Sequence, residues 1–135
     1  MTELTLEIVT PSKSAFRGEI KSVTVPGTKG RFQVLNNHAP IISTFDIGMI
    51  MVELQDGNQN YYSTAGGTIE VLENKVLVLA DSIEIVSEID EERALKAKQR
   101  AEERLAEKKS DINIIRAQAA LARANNRIQI KEKYN

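Results

Sequence analysis

The sequence has no cysteine and a single histidine, His38. Disulfides and thiolate metal sites are therefore unavailable, and one imidazole cannot form a zinc-binding cluster. No stretch approaches the ~20 apolar residues that a membrane-spanning helix requires. The opening MTELTLEIVT carries an acid at position 3 and no long apolar run, so no signal peptide is expected. The chain is expected to be soluble and of bacterial-cytosolic type, with any membrane association running through a partner. An excess of one charge is missing too: Lys and Arg number 18, Asp and Glu 19, for a net of −1. Nucleic-acid binders usually show a basic excess. No Gly-x-Ser-x-Gly, Walker-type loop or paired-carboxylate arrangement is present. No catalytic residue and no metal ligand is assigned, and the chain reads as a non-enzyme.

The most informative absence is local. All 7 glycines and all 3 prolines lie before residue 68. The stretch 88–135 has none and is rich in Ala, Glu, Lys and Arg, which lose little side-chain entropy in a helix. Phe16, Phe32, Phe45, Tyr61 and Tyr62 all fall in the first part, and only Tyr134 in the second. The two parts also differ in charge. Residues 1–87 hold 6 basic and 10 acidic side chains, a net of −4, and residues 88–135 hold 12 and 9, a net of +3. The expected organisation is a domain over 1–87 and a second over 88–135.

Leu4, Leu6 and Ile8 alternate with Thr5 and Glu7, the period of a half-buried strand. Val23 and Val25 mark a second strand and Arg31–Leu35 a third, closed by Asn36-Asn37. Ile47–Leu54 runs into Asp56-Gly57, a strong hairpin signal, and returns through Tyr61 and Tyr62. Thr68–Leu72 turns at Glu73-Asn74 into Val76–Ala80, and Ser82–Val86 closes the set. Short strands at this spacing imply an all-β sandwich or barrel, and an antiparallel β-sandwich is the fold expected. Ile47, Met49 and Met51 are expected in its packing, although an exposed Met–Ile face would make a good partner surface, with one of Tyr61 and Tyr62 inward. His38 and Gly66-Gly67 are read as turn and packing residues.

Asp90 is the expected N-cap of a first helix, with Glu91 and Glu92 in its first turn and Lys108-Lys109 at its end. Ser110-Asp111 supply a turn and a new cap for a second helix, Ile112 to about Lys131. So short a connection predicts an antiparallel hairpin. The expected apolar faces are thin: Ala94, Ala97, Ala101 and Leu105 against Ile115, Ala119, Ala122 and nearby Leu121. Such a hairpin is marginal alone and suited to detachment.

Arg93, Arg100 and Arg104 in the first helix and Arg116, Arg123 and Arg127 in the second share the spacing i, i+7, i+11, which puts each set on one face. In the first helix acids are interleaved, and Glu92–Lys96 is a favourable i, i+4 pair. Between Asp111 and Glu132 there is no acid. The stripe of Arg116, Arg123, Arg127 and Lys131 therefore needs partner carboxylates, a phosphate or water.

Taken in order, Ile8-Val9-Thr10-Pro11, Leu35-Asn36-Asn37-His38-Ala39-Pro40, Ala65-Gly66-Gly67 with Ile69-Glu70-Val71, Asp81, and Ile89-Asp90-Glu91-Glu92-Arg93-Ala94 span essentially the whole chain. In this order they resemble the epsilon subunit of bacterial F-type ATP synthase. Asn36-Asn37 stands where many members have Pro-Gly. The resemblance implies a non-catalytic rotor subunit at the cytoplasmic face of the plasma membrane, coupling proton-driven rotation to ATP synthesis. Its sandwich would bind the gamma subunit and the c-ring. Its hairpin would be compact or extended, in the extended state reaching the alpha and beta subunits and blocking ATP hydrolysis, with the basic stripe meeting an acidic segment of beta. No cofactor is required. The family's nucleotide-binding members imply a regulatory ATP site at Glu84, Ile89, Asp90, Arg93, Arg100, Arg123 and Arg127. The alternatives are a free-standing nucleic-acid or protein-binding module using the basic helix, and a stalk subunit whose hairpin is a permanent brace.

Overall fold

The computed structural model describes residues 3–107 and 110–134. The chain divides between Ile85 and Val86 into two compact units. The first is a β-sandwich of nine strands: β1 (Thr5–Val9), β2 (Ser14–Val25), β3 (Phe32–Val34), β4 (Ile41–Phe45), β5 (Gly48–Leu54), β6 (Gln59–Thr64), β7 (Gly67–Leu72), β8 (Lys75–Ala80) and β9 (Ile83–Ile85).

The long strand β2 serves both layers. Its first half pairs antiparallel with β1, in the layer ordered β4-β7-β8-β1-β2. Its second half pairs with β5 and β3, in the layer continued by β6 and β9. The change of layer falls at a bulge. Ile20 opposes Leu54 and Ser22 opposes Glu53, so Lys21 is the extra residue. Every pairing is antiparallel except β1 with β8, which is parallel. That pair sets Thr5 against Lys75, partners far apart in the chain, which is why no local turn signal announces it.

Alternation fills the space between the layers. Leu4, Leu6, Ile8, Ile20, Val23, Val25, Val34, Ile50, Val52, Ile69, Val71 and Val78 are all buried to within 1% of complete. Burying each such side chain contributes ~1.5–3 kcal/mol. Tyr62 is buried and Tyr61 half-buried, as the alternation requires. In β5, Ile50 and Val52 take the inward positions, while Met49 and Met51 point to the other face and are only half-buried. The expectation that both methionines pack inside the sandwich is one residue out of phase, and a one-residue slip exchanges the faces of a strand.

Two strands go beyond what the local pattern predicts. β2 begins at Ser14, well before Val23, and β4 lies in a stretch to which no strand is assigned from the sequence. Ile42, in the middle of β4, is 77% exposed, so this strand lacks an apolar alternation to betray it. Its pairing with β7 forms it. The turns follow their chemistry. Glu73 and Asn74 have φ of 50° and 62°, the two left-handed positions of the tight β7–β8 turn. Asn74 also reaches the neighbouring turn: its Oδ1 accepts the Asn37 N–H at 2.6 Å, and its Nδ2 donates to Asn37 Oδ1 at 3.3 Å.

The second unit opens with a 3-10 turn, Val86–Glu88, followed by α1 (Glu91–Glu107) and α2 (Asp111–Tyr134). Asp90 caps α1, its Oδ1 accepting the Arg93 N–H at 3.1 Å. Ser110 caps α2 in the same way through Oγ and the Asn113 N–H at 3.2 Å, which leaves Asp111 as the first helical residue. The Lys108-Lys109 helix end lies outside the described residues. The two helices pack antiparallel: Lys131, near the end of α2, donates to the Val86 carbonyl before α1, while Arg104 and Arg116 line one cleft at the other end.

Candidate functional site

The seam between the helices is made of small side chains. Ala94 and Ala101 of α1 and Ala117 and Ala124 of α2 are buried, joined by Ile128. For α1 this is the expected face. For α2, Leu121 is on the inward side as expected, but it is joined there by Ala117, Ala124 and Ile128, the four standing at i, i+4, i+7 and i+11, on the side opposite Ile115 and Ala122. Ile112 and Ile115 are each 64% exposed and Ala122 is exposed. Both faces of α2 carry apolar residues, so periodicity alone offers two solutions. The structure takes the one with Ala117, Ala124 and Ile128.

The arginines flank this seam. Arg93, Arg100 and Arg104 are exposed along α1, and Arg116 and Arg123 along α2, with Arg127 half-buried. Antiparallel pairing brings the two series into register. Arg93 is as far along α1 from Arg104 as Arg127 is along α2 from Arg116. With Arg104 and Arg116 sharing the cleft, Arg93 and Arg127 therefore come to the same level. Arg100 and Arg123 fall within about one helical turn of each other along the axis. Glu92 and Lys96 form the expected exposed pair at 3.4 Å, worth at most ~0.5 kcal/mol.

The seven residues implied as a nucleotide site divide between the units. Glu84 is on β9 opposite Ser63, half-buried. Ile89, Asp90, Arg93, Arg100, Arg123 and Arg127 belong to the helical unit. Ile89 is 3% exposed and its N–H is bonded to the Val86 carbonyl at 3.2 Å, so it holds the turn that positions Asp90. The Asp90 carboxylate is committed in part to capping, which sets it beside the Arg93 backbone.

The stripe Arg116, Arg123, Arg127 and Lys131 is less uniform than its spacing suggests. The Lys131 ammonium donates to the Val86 carbonyl at 3.1 Å, closing the base of the helical pair. Of the four, only Arg116 and Arg123 are exposed. Lys131's role in the base and the convergence of Arg104 with Arg116 are not visible in the sequence, because they depend on which residues of the two helices share a level. Among the described residues, no group of three or more His, Asp or Glu is placed to hold a metal ion, and no helix is long and apolar enough to cross a membrane.

The family model of the ATP synthase delta/epsilon chain β-sandwich domain matches residues 3–86, and that of the same chain's long α-helix domain matches residues 87–132. The ATP synthase epsilon chain of Syntrophomonas wolfei is 41% identical over 128 residues, covering 95% of this chain and 93% of that one. That of Desulforamulus reducens is 43% identical over 127 residues, covering 94% and 96%. Among solved structures, a chain of the Euglena gracilis mitochondrial ATP synthase shares the fold with a TM-score of 0.81 at 20% identity, covering 92% of this chain and 78% of that one. With both units matched in order, and with relatives this similar across nearly the full length, the chain belongs to the ATP synthase delta/epsilon chain family.

Proposed function

We propose that the chain is the non-catalytic epsilon subunit of a bacterial F-type ATP synthase, a central-stalk component that helps couple proton-driven rotation to ATP synthesis. In this reading the sandwich binds the gamma subunit and the c-ring, and the complex holds the chain peripherally at the cytoplasmic face of the membrane. The helical pair regulates ATP hydrolysis by moving between a compact and an extended state, in which α2 reaches the alpha and beta subunits.

The observation that carries the regulatory part is the outer surface of α2. It exposes Ile112 and Ile115 beside Arg116 and Arg123, on a helix with no acid between Asp111 and Glu132. Exposed apolar side chains next to guanidiniums with no acid on their own face suit an acidic partner surface. The alanine seam supports detachment, since each buried methyl contributes little against the entropy of ordering the helices.

ATP is the ligand proposed to favour the compact state. Arg93 and Arg100 on one helix, with Arg123 and Arg127 on the other, are close in level, so a polyphosphate touching both sets offsets their repulsion. It shifts the equilibrium only by its preference for the compact form. Calorimetric titration of ATP into the chain and into the Arg123→Ala/Arg127→Ala variant tests the site; equal heats in the two would remove it. Crosslinking the helical pair to the sandwich in the assembled complex tests the movement. A locked form that hydrolyses ATP no faster than the free form would leave a brace rather than a switch.

A further inference from the structure

We propose that Asp56 is a modification site, where the backbone rearranges spontaneously to isoaspartate at a rate held down by Asn58. Asp56-Gly57 is the one aspartate–glycine step in the chain. Asp46, Asp81, Asp90 and Asp111 are followed by Ile, Ser, Glu and Ile, and no asparagine precedes a glycine. The step lies at the tip of the β5–β6 hairpin, where Gln55, Asp56, Gly57 and Asn58 are all exposed. The Gly57 N–H donates to the Leu54 carbonyl at 3.0 Å, and Gly57 is left-handed with φ of 90°, the pattern of a three-residue hairpin loop. A Cβ built at Gly57 would meet nothing within 4 Å. The space beside the turn is therefore open, and glycine offers no side chain to shield its own nitrogen.

The chemistry needs only water. The Gly57 nitrogen attacks Cγ of the Asp56 carboxylic acid: the N–Cγ bond forms, the Cγ–OH bond breaks, and the departing hydroxyl and the amide proton leave as one water. The resulting succinimide takes up water at either of its carbonyls. Opening at Cγ restores aspartate. Opening at the main-chain carbonyl leaves the chain running through Cβ and Cγ, with the former main-chain carbonyl as a free carboxylate. Mass is unchanged, and nothing is oxidised or reduced. In the folded turn both reacting groups are restrained. Asp56 Oδ1 accepts the Asn58 N–H at 2.9 Å and Oδ2 accepts from Asn58 Nδ2 at 3.0 Å, while the Gly57 N–H is held by Leu54. Release of these bonds sets the rate. The product has a longer backbone, which breaks the spacing that closes Leu54 on Gly57, and its carboxylate, now carried directly on Cα, leaves the position that holds Asn58. Nothing in this chemistry depends on a role in the central stalk.

The test is ageing of the full chain in mildly acidic buffer, followed by peptide mapping with an isoaspartyl carboxyl methyltransferase as the probe for the product. Isoaspartate is expected to accumulate at Asp56 faster than at Asp46, Asp81, Asp90 or Asp111. Asn58→Ala removes the Nδ2 bond and should raise the rate by roughly threefold to tenfold, the worth of one hydrogen bond. Asp56→Glu keeps a carboxylate but would have to close a larger ring, and should give no product. Amide exchange at Gly57 and Asn58 should be faster in the aged fraction that the probe labels. Thermal melts check that both variants are folded, and the comparison among aspartates uses the native chain alone. Product at Asp56 no more abundant than at Asp81, a rate in Asn58→Ala at or below the native one, or product persisting at position 56 in Asp56→Glu would each overturn the proposal.

Discussion

Replacing Gly67 by alanine tests the packing of the sandwich at its tightest point. A Cβ built there lies 2.0 Å from the Leu79 carbonyl oxygen, 2.9 Å from Phe45 Cζ and 3.0 Å from Ala80 Cα. Ordinary contact begins near 3.4 Å, so the carbonyl oxygen must retreat by more than an ångström. That atom is backbone, at the open end of the β7–β8 pairing, where Gly67 opposes Ala80 and Thr68 opposes Leu79. A retreat of this size costs about two ladder hydrogen bonds, at ~1 kcal/mol each. Displacing Phe45, 3% exposed in the core, adds ~1–3 kcal/mol. The expected loss is ~3–5 kcal/mol, a large share of the ~5–15 kcal/mol that holds a domain together. For a unit of this size it corresponds to a fall of at least about 12 °C in Tm.

Gly18→Ala is the matched control. The same methyl at Gly18 meets only the Phe16 ring, at 3.7 Å, in ordinary contact. There the lower entropy of the unfolded chain should leave stability unchanged or raised by ~0.4–1 kcal/mol. Thermal and urea unfolding followed by circular dichroism in the strand region reads both. If Gly67→Ala melts within a few degrees of the native chain, or if the two variants fall together, then contact at the Leu79 carbonyl is not what requires glycine at 67.

Asn74→Ala removes both arms of the bond to Asn37 and should cost ~1–3 kcal/mol, whereas Asn74→Asp keeps the acceptor for the Asn37 N–H and should cost less. Equal urea midpoints for the two variants would contradict the assignment of the 2.6 Å bond as the stronger arm. Ser110→Ala deletes the cap of α2 and should cost ~1 kcal/mol, seen as faster amide exchange at Asn113, while Ser110→Asp should preserve protection. Lys131→Met keeps the apolar stem but loses the bond to the Val86 carbonyl. A loss of ~1 kcal/mol predicts roughly fivefold faster exchange of the Ile89 amide, which shares that carbonyl. An unchanged Ile89 rate would mean that Lys131 does not hold the base of the pair.

The division into sheet and helix is legible in the chain alone. Glycine and proline are confined to positions before residue 68, and that confinement is a local backbone fact. Also legible are the Asp56-Gly57 hairpin between β5 and β6 and the Asp90 cap, because each depends on residues no more than a few positions apart. The arginine spacing was equally plain, since a helix fixes which of its own residues share a face. Partners distant in the chain were not legible. The parallel β1–β8 pair, the edge strand β4 with its outward Ile42, and the phase of Met49 and Met51 all depend on which strand lies alongside. In α2 the periodicity allowed two apolar faces, and the structure buries Ala117 and Ala124 while leaving Ile112 and Ile115 out. The face taken is decided by the pairing with α1, which the periodicity of α2 alone does not encode. The pairing of the helices sets Arg104 and Arg116 at one cleft and Lys131 at the Val86 carbonyl; the spacing of charges within a helix is local, whereas their partners depend on how the two helices lie together.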